Sequence, residues 1–530
     1  MKLRILCLFL LLAITGGIGA QTIHEPNSDL YKDIDRWFVQ GYIRTFLPLI
    51  RPYPWPLIES ILQEVTVNGN TEAREKAAAY RYDLSPDSRS FRPGFLAYLQ
   101  GSRDDASIVL APFAEGLFHI AGSLTTGFHF AAYALSDTDG ERFNVPGTYS
   151  PYTDFIPDMS NVGSLTVRQH WTSITSIGTS NVYFQAGLSR SSFGPFYDNG
   201  IVVGPQAPRA GHFSFVFQQP QWSFEMLLQA ITASDDFGNG LYNNKFNIIH
   251  SINYRPLDNL EIGFQQAIVW GGRFELMYLV PFSFLFQNQS LFGFDDNAIM
   301  GLHVRWRPFN NLLVNSQLYV DDFHFNNFLK GTIQLKAAAQ FGLSWTPDYN
   351  YINKVDFDYT MVLPYTYSHW NEPAANRYVP EMPNYLNYTH MGRNIGPDLE
   401  PNSVRFSVRT SWDIIPGIGG NLSAYLTGHG NASDGIESDV ERHGSIFDDG
   451  FVEGRRMLRL SDFLSQSVIE TRLGGALGVH WTIPTSYGIF KLSADYGMEL
   501  GRNRRTRDSA PNREINNTRH FWSIGGSWIW

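Results

Sequence analysis

From Phe91 to the C-terminus the chain is a succession of segments in which apolar and polar side chains alternate. That is the two-residue period of an extended strand with one apolar and one polar face. Within 403–413, Val404, Phe406, Val408 and Trp412 share one row, and Arg405, Ser407, Arg409 and Asp413 share the other. Within 488–500, Phe490, Leu492, Tyr496, Met498 and Leu500 oppose Lys491, Ser493, Asp495 and Glu499. Within 331–345, Ile333, Leu335, Phe341, Leu343 and Trp345 oppose Thr332, Gln334, Lys336, Gln340 and Ser344. The chain ends in FWSIGGSWIW, with Trp522, Ile524, Trp528 and Trp530 on one face and Ser523, Gly525 and Ser527 on the other. In a soluble sheet this would leave a hydrophobic free edge, which such proteins avoid. Counting backwards from Trp530 gives about eighteen segments, an even number as bacterial barrels require. The predicted fold is an all-β transmembrane barrel of about eighteen antiparallel strands, spanning 91–530.

The connections alternate in kind. Short, turn-like links fall near 175–179, 218–221, 256–259, 308–311, 346–353, 416–419 and 484–488, and long ones near 137–162, 191–211, 234–244, 271–297, 365–402, 430–469 and 501–518. Outer-membrane barrels have short periplasmic turns and long outer loops, so the short links are placed in the periplasm. Residues 21–90 lack the alternation. Leu30, Ile34, Trp37 and Phe38 have helical spacing within 29–40, Pro56 suits the first turn of a second helix carrying Leu57, Ile58, Ile61 and Leu62, and Thr71 opens an alanine-rich third. A small helical domain on the periplasmic side is expected.

The N-terminus adds an address. Lys2 and Arg4 precede an apolar stretch from Ile5 to Ile14 and small residues from Gly16 to Ala20, which predicts a signal peptide over 1–20. Beyond it no apolar run is long enough for a transmembrane helix. Cys7 is the one cysteine and falls inside that leader, so neither a disulfide framework nor a thiolate metal site is expected. Only 17% of residues are charged, and the net charge of −10 becomes −12 without Lys2 and Arg4, which argues against nucleic acid as a partner. An outer-membrane location implies contact with lipid and lipopolysaccharide. The terminal aromatic resembles the signal read by barrel-assembly machinery.

Candidate chemistry is sparse. There is no P-loop, zinc-type histidine pair or nucleophile elbow. His129, His170, His250, His303 and His480 fall in strands without a metal-ligand spacing, while His369 near Glu372 and His429 near Asp434 are weak hydrolase candidates. No cofactor is expected and the chain is not read as an enzyme. The polar rows carry Arg168, Arg305, Arg307, Arg405, Arg409 and Arg472 beside Glu225, Glu261, Asp356, Asp358 and Asp495, which either pair across a hydrated wall or line a lumen tuned to a charged solute. Three stretches combine Gly, Pro, Asn, Asp and aromatics on the predicted outer side: 191–211, Val280 to Leu302 with 318–323 after it, and 364–373 with 388–399. Such mixtures can hydrogen-bond sugar hydroxyls and stack on sugar rings, or can fold into the barrel as a plug. The candidate glycan or loop residues are Tyr197, Asp198, Asn199, Asp296, Asn297, Asp321, Asp322, Trp370 and Asp398.

These stretches resemble the Wzi-type capsule-assembly family. Its pattern of aromatic, Gly, Pro, then Asn and a proline-containing loop is matched by Phe193, Gly194, Pro195, Asn199 and Pro208. Pro281, Phe282, Gln287, Asn288, Asp296 and Asn297 match a second pattern, Asp321, Asp322 and Phe323 a third, and Gly396, Pro397 and Asp398 a fourth. Arg51, Pro52 and Tyr53 between the first two helices also look like the family. The resemblance implies a monomeric barrel with helices packed at its periplasmic end, acting as a non-catalytic lectin that attaches or organises surface or capsular polysaccharide. A porin-like solute channel is the alternative.

Overall fold

The computed structural model describes residues 25–26, 28–85, 91–103, 106–136, 160–196, 199–204, 207–232, 244–294, 296–323, 335–347, 351–369, 385–391, 393–430, 463–465, 469–504 and 515–530. The expected leader lies outside them. Eighteen antiparallel strands close into a barrel. They are β1 (Phe91–Gly101), β2 (Ala106–Ala121), β3 (Leu124–Leu135), β4 (Leu165–Gly178), β5 (Val182–Ser189), β6 (Ala210–Gln218), β7 (Trp222–Thr232), β8 (Asn244–Leu257) and β9 (Leu260–Gly271). The second half comprises β10 (Asn297–Phe309), β11 (Leu312–Phe323), β12 (Leu335–Trp345), β13 (Ile352–Val362), β14 (Ser403–Ile415), β15 (Ile418–Gly430), β16 (Ile469–Thr485), β17 (Gly488–Arg504) and β18 (Ile515–Ile529). The seam joins first strand to last, Gly94 opposite Ile529 and Gly101 opposite Trp522, which removes the edge that the apolar C-terminal strand would otherwise present.

The alternation read from the sequence is the alternation of the wall. On β17, Phe490, Leu492, Tyr496, Met498 and Leu500 are exposed on the outer surface, as are Phe341 and Trp345 on β12 and Phe406 and Val408 on β14. At one end β2–β3, β8–β9, β10–β11 and β16–β17 are linked by two-residue turns such as Asp258-Asn259, and Asn311 adopts a positive φ of 72° there. The long connections all leave the other end.

Three helices stand across the short-turn mouth: α1 (Asp29–Gln40), α2 (Trp55–Asn68) and α3 (Thr71–Leu84). The apolar stripe of α1 is buried, and Gly41 in the left-handed region (φ 79°) ends the helix with its N–H donated to Phe38 O. Pro56 sits in the first turn of α2. The N-cap of α3 is Asn70, whose side chain accepts from the Ala73 N–H. The helices are tied to the rim by Lys491 Nζ to Asp29 (2.8 Å), Arg36 Nη1 to Asn353 Oδ1 (2.9 Å) and the Asn311 N–H to Val39 O (2.9 Å). Their core runs without a break into inward-facing barrel residues including Leu227, Ile249, Val269 and Ile299. The helical segment is thus a cap continuous with the barrel interior. No helix among the described residues is long and apolar enough to cross a membrane.

Candidate functional site in the barrel lumen

Two parts of the chain enter the lumen from opposite ends and meet. From the short-turn end, the segment between α1 and α2 rises into the barrel. Inward polar residues of the wall hold its backbone. Glu225 on β7 accepts from the N–H groups of Leu49 (2.7 Å) and Ile50 (3.3 Å), Arg305 donates to Leu47 O, Arg255 and Gln218 donate to Phe46 O, and Arg307 donates to Phe38 O and Ile43 O. Each of these bonds involves a charged group or a buried amide, so each is worth about 1–3 kcal/mol when its partner would otherwise be left bare.

From the long-loop end the connection 190–209 descends. Ser192–Phe193 pairs as a short antiparallel ladder with Ile50–Arg51, and the Gly194 N–H is donated to Leu49 O (3.1 Å). Gly194 has φ 124°, and a Cβ there would crowd the Gln317 amide, so this turn needs glycine. The described parts of 363–402 fold onto the same plug. Tyr367 donates its hydroxyl to Ile201 O (2.6 Å) and Tyr388 to Val202 O (2.8 Å), while the Gly204 N–H reaches Ile395 O (2.9 Å). Tyr319, Tyr367 and Tyr388 form one ring cluster with centroids 5.5–6.3 Å apart. Lys245 is fully buried, its ammonium donating to Asn387 Oδ1 (2.8 Å), Thr389 O (3.0 Å) and Thr389 Oγ1 (3.3 Å). Lys336 donates to Ser368 O (2.9 Å).

The sequence candidates divide accordingly. Tyr197, Asp198 and Trp370 lie outside the described residues. Asn199 is buried in the plug, accepting from Arg405 and donating to Thr360 Oγ1 (3.4 Å), and Asp398 accepts from Arg405 Nη1 (2.6 Å). Asp321 accepts the Tyr367 N–H (2.7 Å), and Asn297 donates to Leu386 O (2.9 Å). Asp322 pairs through its backbone with Lys336. Asp296 accepts from Tyr278 and Arg273 at the root of the β9–β10 connection. The structure therefore brings Asn199, Asp321, Asn297 and Asp398 together as supports of one plug and leaves Asp296 outside it. The inward charges work mainly on inserted chain. Glu225, Arg255 and Arg307 bind the N-terminal segment, and Arg305 pairs with Glu261 while doing the same. Only some, such as Arg409 with Asp358 (2.9 Å), pair directly across strands.

The plug hugs the wall from β6 to β14. On the opposite wall, inward residues such as Arg472, Thr482, Ser493 and Asp495 are partly exposed. Beside the plug lies a small cleft lined by Asp35, Phe196, Lys354, Asp356, Asp358 and Arg409, and a second, smaller one shares Arg409 and adds Arg405 and Tyr425. Three inward groups unlinked in sequence do meet: Glu115 lies 3.7 Å from His129, whose ring is 6.0 Å from that of His170. Among the described residues no group of three or more His, Cys, Asp or Glu side chains is placed to hold a metal ion.

No family model and no curated protein sequence matches the chain. Solved structures do. Wzi of Escherichia coli, an outer-membrane protein involved in group 1 capsule assembly and described as a carbohydrate-binding β-barrel, aligns with a TM-score of 0.58 at 13% identity, covering 97% of this chain and 99% of that one. OprD of Pseudomonas aeruginosa aligns at 0.42 with 9% identity, covering 83% and 94%, and OpdK of the same organism at 0.44 with 8% identity, covering 83% and 98%. Over nearly its whole length, the chain has the fold of the Wzi-type outer-membrane barrel.

Proposed function

We propose that this chain is a plugged outer-membrane barrel that binds or organises surface or capsular polysaccharide at its long-loop end, as a lectin without catalysis. The observation that carries the reading is the meeting of Gly194 with Leu49 in mid-lumen. A barrel filled from both ends along half its wall is built to display a folded surface, and Asn199, Asp398 and the tyrosine cluster stiffen the base of that surface. Tyr197, Asp198 and Trp370 are assigned to the glycan itself, because planar polar and aromatic side chains suit sugar hydroxyls and ring faces. The short turns and helical cap face the periplasm in this reading, and the barrel is surrounded by outer-membrane lipid and lipopolysaccharide. The capsule-related role of Wzi supports the same ligand class.

The test is retention of surface glycan by cells with and without the gene, together with direct binding of that glycan to the purified barrel. Loss of retention and saturable binding are expected; unchanged retention and no binding overturn the reading. The second reading, a solute channel, draws on the partly exposed inward groups of β16–β18. Planar-bilayer recording separates the two, since a lectin with this plug conducts little and a channel conducts steadily.

A further inference from the structure

The connection between β9 and β10 neither projects from the barrel nor enters it. It folds down over the outside of the wall. Residues 274–294 contain a 3₁₀ turn (Leu276–Leu279) and a two-turn helix, α4 (Leu285–Phe292), ended by Gly293 at φ 68°. Beneath them lie outward-facing strand residues, Phe224 and Met226 on β7, Ile248 on β8, and Ile268 and Trp270 on β9, all buried against Tyr278 and Leu285. The ring of Phe282 reaches Phe224 (4.3 Å) and Trp222 (6.1 Å), and Trp222 begins β7 at the short-turn end. The flap therefore covers most of the height of the wall.

Two features of the wall belong to this arrangement. The outward rows of β8 and β9 are interrupted by His250 and Gln266, which would otherwise stand in hydrocarbon at a cost of several kcal/mol each. Both are buried under the flap. Gln266 accepts the Leu285 N–H (2.8 Å) and donates to Ser283 O (2.6 Å), joining the flap backbone to the wall at its least regular point. Elsewhere much of the flap backbone bonds within the flap: the Val280, Ser283, Asn288 and Phe294 N–H groups go to Met277, Val280, Phe284 and Gln289 carbonyls, and Gln289 Nε2 goes to Asp296 O (2.6 Å). Irregular backbone is admissible at membrane depth only when its polar groups are met in this way.

The flap's outer side is apolar. Leu276, Val280, Phe282, Phe286, Leu291 and Phe292 are exposed by 46–76%, and Glu275 is the one charged residue of 274–294. These side chains continue the band formed by Ile252, Ile262 and Leu302 on the neighbouring strands. Gln287 and Ser290 on α4 are the exposed polar side chains of 274–294, and the Ser290 hydroxyl is donated within the helix to Phe286 O (3.1 Å). We infer that residues 274–294 are a membrane-embedded flap whose outer side is a contact surface for lipid acyl chains. The inference rests on the membrane-spanning reading of the barrel.

Nitroxide labels test it in the full-length chain reconstituted in phosphatidylethanolamine–phosphatidylglycerol vesicles. Cys7→Ser supplies a cysteine-free background, and Leu291→Cys and Phe286→Cys report on the flap. Leu473→Cys, on the outer face of β16, reports on the wall. Collision with oxygen several-fold above collision with a water-soluble nickel chelate is expected at all three. If Leu473→Cys shows this and the flap labels favour nickel, the flap inference falls and the barrel stands; if Leu473→Cys also favours nickel, the membrane reading falls with it. Flap labels shielded from both reagents would mean a protein covers the flap, which also overturns the inference. Gln266→Leu, combined with Leu291→Cys, should raise nickel access at the flap several-fold and leave Leu473→Cys unchanged; unaltered access would refute the anchoring role of Gln266.

Discussion

Replacing Glu225 with alanine should free the inserted N-terminal segment while leaving the barrel closed. Glu225 is wholly buried and its Oε2 receives the Leu49 and Ile50 N–H groups, while Oε1 receives Asn253 Nδ2 (2.9 Å). Alanine strands two backbone donors in a dry lumen. At about 1–3 kcal/mol for each buried group left bare, and allowing for relaxation and water entry, the net cost to the inserted state is about 3 kcal/mol. At 1.4 kcal/mol per tenfold, local opening becomes favourable by on the order of a hundredfold. Hydrogen exchange reads this directly, because the Leu49, Ile50 and Gly194 amides share the one junction. Their exchange should accelerate by that factor while amides of β16 and β17 stay as protected as before. Glu225→Gln, which keeps an oxygen acceptor, should recover part of the protection. Unchanged exchange at 43–51 in Glu225→Ala would refute the claim that this carboxylate holds the plug.

Arg405→Met removes the clamp shared by Asn199 and Asp398, and a charge-assisted pair of this kind is worth about 2–4 kcal/mol; limited proteolysis should cut within 190–209 much faster, and an unaltered cleavage rate would contradict the assignment. His390 supplies a pH dependence. Its Nδ1 accepts the Thr232 N–H (3.1 Å), its Nε2 donates to Arg209 O (2.8 Å), and burial lowers its pKa from 6.5 to about 4. The unfolded loop binds the proton that the folded loop refuses, so stability is whole above about pH 6.5 and falls as the pH drops towards about 4, by up to about 3 kcal/mol. Thermal unfolding of the loop should follow that window in the native chain and be flatter in His390→Gln; identical profiles would exclude His390 as the source.

The wall and its contents were unequally legible in the sequence. Alternation at period two names the described outward residues of β12, β14 and β17 because lipid and lumen differ so sharply in polarity, while Thr332, Ile333 and Gln334 of the same reading lie outside the described residues. Helical spacing gives α1 and α2 in the same way, and α3 begins at Thr71, where the alanine-rich stretch opens. An inward polar row, by contrast, looks the same whether it faces water or a folded-in backbone. Nothing in the spacing of Glu225, Arg255, Arg305 and Arg307 says that their partners are the carbonyls and amides of 38–50. The stretch from Val280 to Leu302 shows the opposite failure, since Gly, Pro and aromatics suit a plug and a flap equally. The usable signal lay elsewhere, in His250 and Gln266 breaking the apolar rows of β8 and β9.

The plug leans on β6–β14, whereas the seam lies between β1 and β18 on the far side. Residues 38–51, close to the start of the described chain, are therefore bound by its middle strands. Parting of the wall at that seam would leave residues 38–51 seated on an unbroken arc of strands. Lys491 on β17, reaching Asp29 at the start of α1, is the contact that ties the helical cap to the seam side as well.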